Sequence, residues 1–408
     1  MKYKSFLPGA PIPSLTDLLR LLWSVKRPSA DLAACWCDGE QEAFLFSRAR
    51  WAIDAVLGLL GDSSVTGRLT VFVPDYFCET ALGPIRRRNE RLVCYPVCED
   101  LRPDWGSVEK LSQEFGSPDV FLLVHYFGFP CGVEQACEYC WRAGAFLVED
   151  CAHVLLPTTN MGRMGDAVVY SLPKVLGVRD GGLLVLKTSL LDGTDARENA
   201  TWRSLARGSL SENSRSWDSR RLWLLRKALQ WVCLNFRMRW HREAPATHDY
   251  EGDAPAPPDN GTSATCKRLL TVYQNRLSLF RERRRTFYSI LNGFVLDLGP
   301  TVRPVFSDLA PGATPYVYPL LVEKEHVCSL YSRLNRAGVP ATSWPDLPPE
   351  VKANPRAHAG AVALRHSIIA LPLHQSLAHK DIMYIGEVLS REVMAIAPHR
   401  RSGRIADP

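Results

Sequence analysis

Three consecutive runs decide the fold class: Ala145-Phe146-Leu147-Val148-Glu149-Asp150-Cys151-Ala152-His153, Ala167-Val168-Val169-Tyr170-Ser171-Leu172-Pro173-Lys174 and Gly181-Gly182-Leu183-Leu184-Val185-Leu186. Each is a short, continuous apolar stretch rather than an alternating one, which is how a strand buried on both faces reads. Working upstream, Val120 to His125, Leu92 to Val97 and Leu69 to Val73 have the same character, the last of them ended by Pro74. Between them lie stretches with helical spacing. Phe46, Trp51, Ile53, Val56, Leu57 and Leu60 form one such pattern, and Gly132 to Ala143 is another. Strands alternating with helices predict an α/β domain with a mostly parallel sheet.

Downstream the character changes. Residues 217–242 predict one helix in which Trp, Leu and Phe mix with Arg220, Arg221, Arg226, Lys227, Arg237, Arg239 and Arg242. Residues 243–265 are rich in Pro, Gly, Asp and Ala, and Ala254-Pro255-Ala256-Pro257-Pro258 excludes a helix or central strand, so a mobile loop or linker is expected. From Cys266 a basic helix is predicted to about Leu291, then a strand at 316–322, a helix at 327–337, a strand at 368–371 and a closing helix at 380–393. The expected organisation is an N-terminal segment (1–45), a large domain (46–200), a basic helix with a linker (201–265) and a smaller α+β domain (266–408).

Composition narrows the classes. Of 408 residues, 46% are hydrophobic and 23% charged, which excludes a wholly disordered, collagen-like or low-complexity chain. A net charge of +6 is too mild to argue for nucleic acid by itself. Twelve cysteines in a chain this long do not make a disulfide scaffold, and Cys137-Glu138-Tyr139-Cys140 has no second pair at zinc spacing, so no metal is expected. No leader and no apolar run of membrane-spanning length is read, so the expected location is cytoplasmic.

Chemistry concentrates in the opening segment. Acids at the carboxyl end of a parallel strand sit where α/β sheets bind ligands. A lysine beyond the next strand could form a Schiff base, and a carboxylate nearby could keep a pyridine nitrogen protonated, the pair that pyridoxal phosphate (PLP) chemistry needs. Taken singly, an acid such as Asp150 is more often a helix cap and a lysine such as Lys174 is usually solvated, while His153, Tyr76 and Phe77 read equally as core residues.

The ordered motifs resemble the DegT/StrS-type sugar aminotransferases, PLP enzymes of fold type I. Glu149-Asp150-Cys151-Ala152-His153 is similar to the family's acidic pair followed by Ala and Gln or His. Gly162-Arg163-Met164-Gly165-Asp166, Tyr170-Ser171, Lys174 and Gly181-Gly182 follow in the family's order. Val73-Pro74-Asp75-Tyr76-Phe77, His125-Tyr126-Phe127-Gly128-Phe129-Pro130, Leu334 to Val339 and Ile369 to His374 resemble further family motifs. The resemblance covers roughly 45–190 and 266–395. It implies a mixed, mostly parallel seven-stranded sheet in the large domain. It also implies Lys174 as Schiff-base residue and proton shuttle, Asp150 at the pyridine nitrogen and His153 near the phenolic oxygen. Ser171 and the helix start at Ser47-Arg48-Ala49 would hold the phosphate, and Tyr76 or Phe77 would stack on the ring. His125, Tyr126, Trp344 and His374 are candidates for the substrate side. Because a branch of sugar dehydratases carries histidine at the lysine position, Lys174 argues for amino transfer.

The implied activity moves an amino group from an amino-acid donor, glutamate foremost, to a keto-sugar linked to a nucleotide. The setting would be polysaccharide, glycolipid or secondary-metabolite biosynthesis. A homodimer with shared sites is implied too. Two alternatives stand beside it: a PLP enzyme acting on a non-sugar amine, and a non-catalytic binding protein. The helix at 217–242 could contact a membrane surface, or its arginines could simply cover the protein's own surface. Cys151 and Cys78 are the thiols expected to disturb cofactor binding when modified.

Overall fold

The computed structural model describes residues 3–5, 7–23, 32–61, 67–190, 217–235, 240–242 and 260–396. Its strands are β1 (Tyr3–Ser5), β2 (Gln41–Phe46), β3 (Thr70–Pro74), β4 (Arg91–Tyr95), β5 (Val120–Val124), β6 (Phe146–Cys151), β7 (Ala167–Ser171), β8 (Gly182–Lys187), β9 (Trp240–Arg242), β10 (Val302–Pro304), β11 (Val317–Val322) and β12 (Ile368–Pro372). Its helices include α1 (Leu15–Trp23), α2 (Ala49–Gly61), α3 (Leu172–Val175), α4 (Trp217–Asn235), α5 (Ala264–Tyr273) and α6 (Leu277–Leu296).

The large sheet has seven strands in the order β2-β8-β7-β6-β5-β3-β4, and β8 alone runs against the rest. This is the mixed, mostly parallel sheet expected. The apolar runs were continuous because both faces are covered. Along β7, Ala167 and Val169 join one core, while Val168 and Tyr170 join the other. Likewise Leu184 and Leu186 of β8 face the first core, and Leu183 and Val185 the second. Successive side chains on a strand point to opposite faces, so a helix layer on each side buries all of them.

The smaller sheet, β10-β11-β12, is antiparallel and packs its buried strands into the first core. α5 and the start of α6 lie in the second core, with Cys266, Leu269, Leu270 and Leu277 against Val175 and Leu183. The chain from Cys266 therefore begins as part of the large domain's helix layer, and the smaller sheet starts only at Val302. The large sheet likewise begins at Gln41 rather than 46, since β2 precedes α2.

Two further boundaries differ from the sequence reading. The helix expected over 217–242 ends at Asn235, and Trp240–Arg242 pair as a strand with Tyr3–Ser5. The basic helix from Cys266 is two helices joined by a 3-10 turn at Gln274–Arg276. The expected loop at 243–265 lies outside the described residues up to 259. Residues 260–263 latch onto the large domain, with the Ser47 N–H donating to the Asn260 carbonyl (2.6 Å) and the Thr262 hydroxyl donating to the Phe46 carbonyl (2.5 Å).

Candidate active site

Topology gathers the site at one edge of the sheet. β3, β5, β6 and β7 are mutually parallel, so the segments after Pro74, Val124, Cys151 and Ser171 emerge on the same side. β8 runs the other way and β2 runs against β8, so the start of β8 at Gly182 and the end of β2 at Phe46 join that edge. This is the carboxyl-end crevice where open α/β sheets bind ligands.

Its floor is Asp150, His153 and Lys174. The Asp150 carboxylate is buried at the end of β6 and accepts from the Ala152 N–H (2.8 Å). Burial raises its pKa above the usual carboxylate range, opposed first by the Lys174 cation. Lys174 Nζ lies 3.2 Å from His153 Nε2. The Phe127 N–H donates to His153 Nδ1 (3.2 Å), which fixes the ring with Nε2 facing the lysine nitrogen. Burial drives the His153 pKa well below its ordinary value, with Lys174 adding to the effect, so the imidazole stays neutral. The ring is stacked between Tyr316 (4.6 Å) and Phe127 (5.9 Å) and meets the Trp344 edge at 5.8 Å.

Glu149, the other member of the acidic pair, points away from this floor. Its side chain is sealed, accepting from the backbone N–H groups of Gly162, Met164 and Gly165 and bonding His125 Nε2 (2.8 Å). Burial alone would raise its pKa, but the His125 contact and the N–H groups outweigh it and hold Glu149 below the usual carboxylate range. His125 Nδ1 accepts from the Cys131 N–H (3.3 Å), so His125 is a brace beneath the site and does not line the substrate side. The close set His125, Glu149 and Cys151 has metal-ligand residue types, yet the Glu149 oxygens are already taken up by these hydrogen bonds.

A second subsite forms around Gly182. It pairs with Ser171 on one side and Phe46 on the other. A Cβ there would lie 2.3 Å from the Arg48 carbonyl carbon and 2.5 Å from the Ala49 nitrogen, so only glycine lets β8 press against the start of α2. Ser47, Arg48, Ala49 and Ser171 are thereby brought to one place, beside the N-terminus of a 13-residue helix. The helix dipole, positive at this end, favours an anion there.

Among the aromatic candidates, Tyr76 stacks on Trp344 (4.5 Å) and tilts against Tyr126 (5.6 Å). Tyr126 donates its hydroxyl to the Tyr76 carbonyl. Phe77 is buried in the large-domain core. The Tyr76 hydroxyl and the Trp344 indole N–H are buried with no protein partner among the described residues. Two orphaned donors in one aromatic cluster beside His153 are what a site shaped for a polar ring would leave. Together with the buried acid, the lysine and the helix start, these residues fit PLP. His374 is placed elsewhere: it is buried, bonding the Pro8 carbonyl and the Ser376 N–H.

Residue reading alone missed Tyr316, Phe127 and Arg284. Fully buried Arg284 on α6 donates to the carbonyls of Val175, Pro315 and Tyr316 and to Gln375 Oε1, tying α3, which carries Lys174, to the small domain. Cys151 is also sealed, its thiol pushed well above the ordinary value by burial, so it is not the accessible thiol expected. Cys78 is half-buried beside Thr80.

The class, a PLP-dependent aminotransferase, comes from a family match. Residues 99–238 match the DegT/DnrJ/EryC1/StrS aminotransferase family, so the resemblance carried by the sequence motifs is borne out. No curated protein matches the sequence. Among solved structures, the chain is similar to the aminotransferase TlmJ from Streptoalloteichus hindustanus, with TM-score 0.65 and 19% identity over 97% of this chain and 93% of that one. It is also similar to Helicobacter pylori PseC, an aminotransferase of pseudoaminic acid biosynthesis, with TM-score 0.69 and 14% identity over 96% and 100%. Spr1654 from Streptococcus pneumoniae in its PMP-form gives TM-score 0.70 and 15% identity over 96% and 100%. At these identities the structural likeness speaks for the fold. No described helix is long and apolar enough to cross a membrane.

Proposed function

We propose that this protein uses PLP to move an amino group from an amino acid, with glutamate the first donor to test, to a keto-sugar carried on a nucleotide. The observation that carries this reading is the Lys174 nitrogen, 3.2 Å from a neutral, oriented His153, above the buried Asp150. When bound, PLP supplies an electron sink that lets a substrate C–H proton leave. Asp150 would hold a pyridinium nitrogen in a dry setting, where such a charge-assisted contact is strong. The α2 start, Ser171 and Gly182 would seat the phosphate through N–H groups and a hydroxyl. Lys174 Nζ would attach the cofactor at rest, then take and return the proton between the two carbons that exchange nitrogen. His153 would keep that nitrogen oriented through its Nε2. Tyr76 and Trp344, with their unpartnered polar atoms, would flank the ring.

The sugar acceptor is supported by the family match and by neighbours such as PseC. A homodimer completing each site from both copies belongs to the same proposal. The test is spectroscopic and then chemical. Purified protein with PLP should show its visible absorption band, and glutamate should bleach it. A keto-sugar nucleotide should restore the band as the amino-sugar appears. A protein that takes up no PLP, or whose band no amino acid bleaches, would sink the proposal. Full activity from a monomer would remove its dimer part.

A further inference from the structure

We propose that Phe127 is a positioning residue: its left-handed backbone fixes the His153 imidazole against Lys174 and ties that ring to the small domain. This deepens the function proposed above and rests on its reading of Lys174 and His153. Phe127 lies in the turn that leaves β5, with φ 57° and ψ 14°. L side chains rarely adopt that region, and for a bulky one it is an outlier. Such outliers persist where the surroundings hold them, often beside a site that uses the geometry. The two backbone angles of a residue set the direction of its own N–H relative to its own C=O. Here the N–H donates to His153 Nδ1 (3.2 Å), and the C=O accepts from the Tyr316 N–H (2.7 Å). Tyr316 lays its ring on His153, centroids 4.6 Å apart and planes 6° from parallel. One residue therefore holds the imidazole by Nδ1 and also holds the aromatic ring that covers its face. With both pinned, Nε2 is left facing Lys174 Nζ at 3.2 Å. Tyr316 stands at the entry to β11, so the position of the smaller sheet reaches His153 through this turn.

The turn has little slack. Before it, the His125 N–H donates to the Asp150 carbonyl (3.0 Å), and the Tyr126 hydroxyl donates to the Tyr76 carbonyl (2.6 Å). After it, a Cβ on Gly128 would overlap the Thr314 carbonyl oxygen. Were Phe127 to relax to a negative φ, its N–H and C=O would leave these directions and both bonds would break. The rival reading is that Phe127 only fills space, its ring lying parallel to His153 at 5.9 Å. Substitutions that all remove the ring separate the two. Glycine enters the left-handed region freely, alanine with difficulty and β-branched valine hardly at all. Valine, in contrast, fills the vacated space best and glycine worst. The two readings therefore predict opposite orders.

The test compares Phe127→Gly, Phe127→Ala and Phe127→Val with the parent chain. On protein without PLP, labelling by diethylpyrocarbonate with peptide mass mapping reads how firmly His153 is held. Labelling of His153 should rise in the order glycine, alanine, valine. With PLP added, the borohydride-fixable link to Lys174 should form about tenfold more slowly in Phe127→Val than in Phe127→Gly, because misplacing a reacting group by about an ångström is costly. The reverse order in either measurement, with valine nearest the parent, overturns the proposal and leaves Phe127 as packing. So does equal labelling of His153, or an equal rate of linking, in all three variants. If circular dichroism shows that the valine variant does not fold, the alanine and glycine variants decide in the same sense. A parent chain that forms no link to PLP removes the proposed function, and the labelling of His153 still decides whether Phe127 positions the imidazole.

Discussion

Lys174 and Glu149 are close in sequence but stand in opposite chemical situations. Lys174 is the group the proposed transfer cannot lack. Lys174→Ala should lower turnover by about a thousandfold or more, at the upper part of what positioned proton transfer supplies, and should abolish the borohydride-fixable link to PLP. The variant should still take up the cofactor, because the proposed phosphate seat and Asp150 are untouched. Glu149 reaches no substrate. Glu149→Gln removes a charge that three backbone N–H groups and His125 hold in a dry place. The amide would also present donors where acceptors are needed. We expect a loss of about 3 kcal/mol of stability by urea unfolding.

At the scale of elements, the contact between β8 and α2 is a tight joint in the site. Gly182→Ala would set a methyl group on the Arg48–Ala49 backbone, forcing α2 to shift. Overpacking of this kind costs about 1–3 kcal/mol. Here it should also loosen the proposed anion seat, so PLP affinity should fall at least tenfold by equilibrium dialysis while the secondary-structure content in circular dichroism stays the same. The same elements show what the sequence could and could not reveal. Asp150, His153, Ser171, Lys174 and Gly182 were legible because one short stretch of sequence, from β6 to the start of β8, carries them on largely apolar strands. β2 was not, since Gln41-Glu42-Ala43 begins it with polar residues along an edge of the sheet. The break after Asn235 was hidden as well, because the pairing of Trp240–Arg242 depends on Tyr3–Ser5, more than two hundred positions away. Tyr316 and Arg284 approach the site from the far end of the chain, and no local pattern marks a residue whose partners are that distant.

For the whole molecule, buried neutral histidines work against acid tolerance. Burial lowers His374 to about 3 and moves His153 in the same direction. Both would bind a proton in the unfolded chain below about pH 6.5 while refusing it in the folded one. Each therefore contributes stability that is complete above that pH and is lost as the pH falls below it, at about 1.4 kcal/mol per pH unit. The melting temperature should drop between pH 7 and 5, and His374→Asn should flatten that slope relative to the parent protein. An unchanged slope would mean that His374 gains its proton without unfolding.

Arg284 has a consequence for how the protein comes apart. Its guanidinium is held by carbonyls and an amide from both domains, with burial lowering its pKa to about 9. Separating the domains in the dry state would strand that cation, so neither domain can open without the other giving way. Calorimetry should then show one cooperative transition for the two sheets. Arg284→Met, which keeps the bulk and removes the charge and its donors, should split that transition into two, with the small domain melting first.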